Sequence, residues 1–275
     1  MSTKKPGGNP ARAGEAEDAR EARRKKAAAL RQRELARERS RRVVLISIAV
    51  VVVLALVAVV VVVIQRSRPE DVPTAAQVNP PSAGATAAGY VLAGTPAAGA
   101  PTVDVWLDYQ CPFCKQYETA AGDAYVALAT GGQAKVVVHT LTFLDDKLGN
   151  TASQLAAEGA AAADAQGRFA EYTKVVFANQ PEEGTGYTLA DLRGFAKDAG
   201  VADLDAWQKA VEGHAYRDYV KSVQASMDAN KVSGTPTVTV TSASGQKTSL
   251  TNEQLLGADP VGALQSAVTA ATAAP

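Results

Sequence analysis

Val103-Asp104-Val105-Trp106-Leu107-Asp108-Tyr109-Gln110-Cys111-Pro112-Phe113-Cys114 runs from a strand into a helix across the chain's only two cysteines. The β-branched first half is strand-like, and a helical pattern begins at Pro112, whose missing N–H costs nothing in a first helical turn. A thiol placed there is chemically special. The open N–H groups and the positive dipole end of the helix stabilise an anion, so Cys111 is expected to ionise more readily than a free cysteine. Cys114, one turn deeper, is placed to close a small disulfide ring with it.

Following the chain onward, Phe113, Tyr117, Ala120, Ala121, Ala124 and Leu128 recur at helical spacing, and Gly131-Gly132 supplies a stop. Ala134 to Leu141 reads as a buried strand parallel to the first, completing a β-α-β unit. Val91-Leu92 reads as a short edge strand. From about 150 to 231 the signals are almost all helical. Thr188, with Asp191 three positions on, and Asp203 are the expected N-caps. The break falls at Ser233-Gly234-Thr235-Pro236. Thr237 to Thr241 then alternates as a strand, Lys247 to Leu250 returns as its partner, and Asp259-Pro260 opens a terminal helix.

Upstream the composition changes twice. Residues 65–89 are rich in Pro, Ala, Gly and Ser and read as a linker. Before them, Val43 to Ile64 is uncharged, with Ser47 its only polar side chain, and spans roughly 33 Å as a helix, enough for a bilayer core. Residues 1–42 carry fourteen Lys or Arg against six Asp or Glu, whereas the chain after Ile64 carries fourteen against twenty-two. The formal neutrality is therefore a sum of opposites. The positive-inside rule predicts a basic cytoplasmic tail at 1–42, one transmembrane helix at 43–64, and the cysteines outside the cytoplasm, where disulfides persist. A cleaved signal peptide is the rival, but the apolar run is long and no clear small-residue cleavage site follows it. No aromatic or recognition motif accompanies the basic tail, so no nucleic-acid partner is expected.

The expected architecture is thus α/β: a β-α-β half, a helical insertion and a β-β-α half over residues 90–275. Three segments of it resemble the DsbA family of thioredoxin-fold thiol:disulfide oxidoreductases. They are Asp108 to Cys114, Arg168-Phe169-Ala170-Glu171-Tyr172 with Phe177-Ala178-Asn179-Gln180, and Val232-Ser233-Gly234-Thr235-Pro236-Thr237. The resemblance implies a thioredoxin-like fold and an exchanging disulfide with no other cofactor. Carried over position by position, Cys111 is the nucleophile, Cys114 the resolving thiol, Pro236 the cis-proline facing them, and Thr235 the residue whose backbone pairs with a substrate strand. Pro112 and Phe113 lie between the cysteines on the substrate side. The implied substrates are thiols of secreted or membrane proteins, and the implied partner of an oxidase is an integral-membrane, quinone-linked reoxidase.

Two departures from that pattern matter. The buried carboxylate that many relatives hold six residues before the first cysteine is Val105 here, and strand alternation turns Asp104 and Asp108 to the other face. The dipeptide between the cysteines also lacks histidine. Other readings of the same residues are a purely structural disulfide, a reductase or isomerase, and a tethered sensor module. A ring this small is a poor staple. A metal site would need His139 and His214, the only histidines, and none is expected. Trp106, Tyr109, Phe113, Tyr117 and Phe143 lie near the pair in sequence, and Phe113 is the one expected at the surface.

Overall fold

The computed structural model describes residues 72–84 and 88–273. Of the chain's two units, Met1–Pro69 and Glu70–Pro275, only the second contains described residues, so the basic tail and the apolar segment at 43–64 lie outside them. Among the described residues no helix is long and apolar enough to cross a membrane.

Five strands form one sheet: β1 (Tyr90–Val91), β2 (Thr102–Asp108), β3 (Lys135–Leu141), β4 (Thr237–Thr241) and β5 (Lys247–Ser249), in the order β1-β3-β2-β4-β5. β2 and β3 are parallel, in register from Thr102 opposite Lys135 to Asp108 opposite Leu141, and the helix α1 (Pro112–Thr130) connects them. β4 lies antiparallel on the other side of β2 and begins with Thr237 opposite Trp106. That register is what builds the site. It delivers Pro236, one residue before β4, beside the chain leaving the end of β2.

Between β3 and β4 the chain makes α2 (Phe143–Leu148), α3 (Ala152–Asp164), α4 (Phe169–Ala178), α5 (Leu189–Asp198), α6 (Leu204–Glu212) and α7 (Arg217–Ala229). The expected caps are present. Thr188 and Asp191 form a reciprocal capping box, and the Asp203 side chain accepts from the Ala206 N–H at 2.8 Å. α8 (Asn252–Leu256) and α9 (Pro260–Ala273) complete the domain, with α9 packed on α1 and on β4.

The two-residue strand β1 is too short to hold itself in place by its ladder. Its Tyr90 ring does so, stacked on Phe169 of α4 at 3.9 Å between centroids and edge-on to Tyr219 of α7 at 5.2 Å. Helix α3 is built for close approach. Trp207 of α6 donates its indole N–H to the Gly159 carbonyl at 2.8 Å, and a Cβ at Gly159 would meet the Tyr172 hydroxyl and come within 2.9 Å of Trp207 Cζ2. Gly159→Ala should therefore destabilise the chain by about 2 kcal/mol, overpacking outweighing the roughly 1 kcal/mol gained in helix propensity. Urea denaturation of the full-length protein reads this, and an unchanged or higher midpoint would contradict it.

One sequence expectation is corrected. The second half of the proline-rich segment at 65–89 is docked rather than free. Thr74 and Ala75 both donate to the Gly213 carbonyl, Val78 donates to Ala215, Gln77 bonds both the His214 carbonyl and the Asp218 N–H, and Ser82 donates to the Asp164 carboxylate. Prolines prevent a regular element there, yet an extended chain still offers N–H groups to carbonyls left open where α6 ends. His214 occupies a left-handed turn (φ 53°) with Nδ1 2.8 Å from the fully buried Glu158 carboxylate. Glu158 also accepts from Gln154 and faces Arg217 at 3.7 Å, so the turn carrying His214 is pinned to α3.

Candidate active site

The end of β2, the first turn of α1 and the turn before β4 converge on two free thiols. Cys111 is the N-cap of α1, with extended backbone (φ −76°, ψ 118°), and Pro112 is its first helical residue. A serine here would cap the helix by accepting from the amides two and three positions on. A neutral thiol is a poor acceptor, and no side-chain cap is formed. A thiolate changes this, because the Phe113 and Cys114 N–H groups then have an anion to bond.

Cys111 is 5% exposed and Cys114 fully buried. Their acidities are driven apart. A hydrogen bond from the Cys114 thiol is the main cause that lowers Cys111 from its ordinary 9.0 to about 6; burial opposes it, and the neighbouring Thr235 and the two α1 amides assist. Burial, together with the hydrogen bond and charge of Cys111, pushes Cys114 well above the ordinary thiol range. Cys111 is thus the more readily ionised of the two, and Cys114 is the hydrogen-bond donor that favours its ionisation.

Across from them the Thr235–Pro236 peptide is cis, and the Thr235 carbonyl lies 3.4 Å from Cys111 Sγ. Cys111, Cys114, Thr235 and Pro236, distant in sequence, are therefore brought together. Phe113 is 56% exposed on the first turn of α1, whereas Trp106, Tyr109 and Tyr117 are core. Lys115 is tied to the Gln180 carbonyl at 3.0 Å.

Sequence reasoning passed over the groups that hold the loop between β2 and α1. Asp108, fully buried, accepts from the Gln110 N–H at 2.9 Å, the Leu144 N–H at 3.2 Å and the Ser153 hydroxyl at 2.5 Å. Burial still raises it to about 7 against those three donors. The Gln110 side chain enters the same network through Asp145, Asn150 and Ser153. From the other side the Gln180 amide nitrogen donates to the carbonyls of Tyr109 (2.7 Å) and Cys111 (3.0 Å), and the Tyr187 hydroxyl donates to Tyr109 (2.7 Å). Only the alternation of β2 hinted at Asp108. Nothing in the sequence singled out Gln180 or Tyr187 for this task.

Val105, six residues before Cys111, is fully buried. The buried carboxylates nearest in sequence are Asp108 and Glu118; burial raises Glu118 to about 7 against the Tyr125 hydroxyl, which donates between its two carboxylate oxygens. No group of three or more His, Cys, Asp or Glu among the described residues is placed to hold a metal ion.

A thioredoxin family model matches residues 86–256. Among solved structures, the chain is similar to MdbA, a thiol-disulfide oxidoreductase from Actinomyces oris. The TM-score is 0.54 and the identity 20%, over 67% of this chain and 89% of that one. MdbA from Corynebacterium diphtheriae follows at 0.52 and 19%, over 69% and 98%, and BdbD from Bacillus subtilis at 0.52 and 16%, over 67% and 99%. At these identities the likeness is one of fold. No curated protein matches the chain.

Proposed function

For a chain that belongs to the thioredoxin family, we propose a DsbA-type thiol:disulfide oxidoreductase that works as an oxidase outside the cytoplasm, with Cys111–Cys114 as its redox-active disulfide. The observation that carries this reading is the asymmetry of the pair: an N-cap sulfur held at about 6 beside a buried thiol pushed the other way. In the oxidised protein a substrate thiolate attacks Cys111 Sγ, and the Cys111–Cys114 bond breaks toward Cys114, which takes up a proton. A second substrate thiolate then attacks the substrate sulfur of the mixed disulfide and expels Cys111 as a stabilised thiolate. The substrate loses two electrons and the pair gains them. No cofactor beyond the disulfide takes part.

The side chains divide the work. Thr235 presents its carbonyl to an extended substrate segment, Pro236 closes the site opposite the sulfurs, and Pro112 and exposed Phe113 offer an apolar surface to unfolded polypeptide. The apolar segment at 43–64 and the basic residues before it support a single-pass anchor with the domain outside. Substrates are then secreted or membrane protein thiols, and an integral-membrane, quinone-linked enzyme returns the pair to the disulfide. A stabilised Cys111 thiolate favours the reduced form, which is the property of an oxidant. Equilibrating the full-length chain in detergent with glutathione tests the direction. A potential near about −120 mV is expected, and one near about −270 mV would identify a reductase instead.

A further inference from the structure

We propose that Gln180 is a positioning residue of this site: through the carbonyls of Tyr109 and Cys111 it holds the Cys111 sulfur against the first amides of α1. The inference rests on the reading of Cys111 as the reactive thiol, and it begins from the chemistry of one amide group.

The Gln180 side chain is buried, and its nitrogen faces two carbonyl oxygens, at 2.7 Å and 3.0 Å. Carbonyls only accept, so the amide is oriented with nitrogen toward the loop, and both of its hydrogens are used. A glutamate would set oxygen against oxygen, and an aliphatic side chain would donate nothing. Gln180 is itself fixed from outside by Lys115, which donates to its backbone carbonyl. The clamp therefore joins the segment after α4, inside the helical insertion, to the one residue whose backbone angles aim the sulfur.

What the clamp contributes is direction more than stability. The Cys111 carbonyl also receives the Cys114 and Lys115 amides, and the Tyr109 carbonyl also receives the Tyr187 hydroxyl. Neither carbonyl is left bare when Gln180 is replaced, so the fold has little reason to fail. The Cys111–Pro112 peptide plane, however, loses the donor that comes from outside the helix. The sulfur then drifts from the Phe113 and Cys114 amides that stabilise its anion. The other ionisable groups packed around the clamp are Asp108, Tyr109, Cys114, Lys115 and Tyr187, and the substitution removes none of them.

The test uses full-length wild type, Gln180→Leu and Tyr187→Phe. Thiolate ultraviolet absorbance is followed against pH, and each protein is equilibrated with glutathione. Gln180→Leu should move the thiolate midpoint up by about one pH unit. It should shift the glutathione equilibrium about tenfold toward the protein disulfide, equal to about 30 mV more negative. Tyr187→Phe, which removes only one donor from Tyr109, should shift both in the same direction by about threefold. Both proteins titrating and equilibrating within about twofold of wild type would overturn the proposal, since a purely structural glutamine lowers stability without moving either readout. Should Gln180→Leu not fold, Tyr187→Phe decides alone. A wild-type chain that fails to exchange with glutathione would sink the oxidoreductase reading separately, because the thiolate titration needs no exchange and still decides on Gln180.

Discussion

Cys111→Ser should abolish disulfide exchange while leaving the chain folded, and Cys114→Ser should convert exchange into capture. The two outcomes differ because the two sulfurs do. Cys111 sits at the helix N-cap facing the Thr235 carbonyl, so it is the sulfur that a bound thiolate reaches and the one that leaves as an anion. A serine hydroxyl at that place caps α1 as well as or better than a thiol, which protects the fold, but it forms no disulfide. Cys114 is fully buried and never meets substrate directly. It leaves when the mixed disulfide forms and can attack that bond again to release the substrate; without it the Cys111–substrate bond is lost only to a second thiol, so a one-thiol substrate stays captured. Non-reducing electrophoresis after incubation with a one-thiol unfolded protein and glutathione disulfide, the oxidant that loads Cys111 as a mixed disulfide before the protein thiol displaces glutathione, reads both. Cys111→Ser retaining wild-type turnover would mean that the roles are misassigned.

The pH dependence of stability should differ between the two redox forms, and only above about pH 6. Cys111 is lowered from 9.0 to about 6 in the folded reduced chain. A depressed acid contributes stability that is complete above its unfolded value and is lost as pH falls through its folded value. The reduced form should therefore gain stability relative to the oxidised form between about pH 6 and pH 9. The gain is at most roughly 4 kcal/mol, three pH units at about 1.4 kcal/mol each. The oxidised form has no thiol to titrate. Asp108 and Glu118, both raised to about 7, act with the opposite sign: what they contribute is present at acid pH and lost as pH rises through 7. They are carboxylates in both redox forms, so the difference between the forms reads the two thiols alone, and Cys114, raised by burial, acts with the opposite sign only above the ordinary thiol value of 9.0. Urea denaturation of each form at several pH values checks this. Parallel curves would contradict a stabilised thiolate.

How far the sequence carried depended on whether a feature was local or assembled. The strands at 102–108 and 135–141, the helix from Pro112 to its stop at Gly131, and the caps at Thr188 and Asp203 were legible because pattern, cap and stop lie within one segment. The β-α-β unit and the strand after Pro236 followed from their order. Phe113 was legible as the exposed aromatic from its place between the cysteines. Two short helices were not read. Phe143–Leu148 is too brief to show a period, while Asn252–Leu256 did carry a signal in the Thr251 and Gln254 capping box.

The tasks of Gln180, quoted only as the end of a matching segment, and of Tyr187 were illegible for a different reason: a polar side chain in a helical insertion acquires its task only when the fold sets it against a carbonyl some seventy residues away. The docking of residues 74–84 belongs to the same class. Proline content reports that no regular element forms, and says nothing about whether an extended chain is bound.

Mass spectrometry of alkylated thiols, after mixing the oxidised full-length chain with a reduced two-cysteine peptide, decides whether the pair is a working redox centre. The expected result is one peptide disulfide formed for each Cys111–Cys114 disulfide lost, with a Cys111–peptide adduct at early times. If the peptide stays reduced and the Cys111–Cys114 bond stays intact under conditions where free glutathione disulfide oxidises the same peptide, the bond is structural and the chain is not an oxidase.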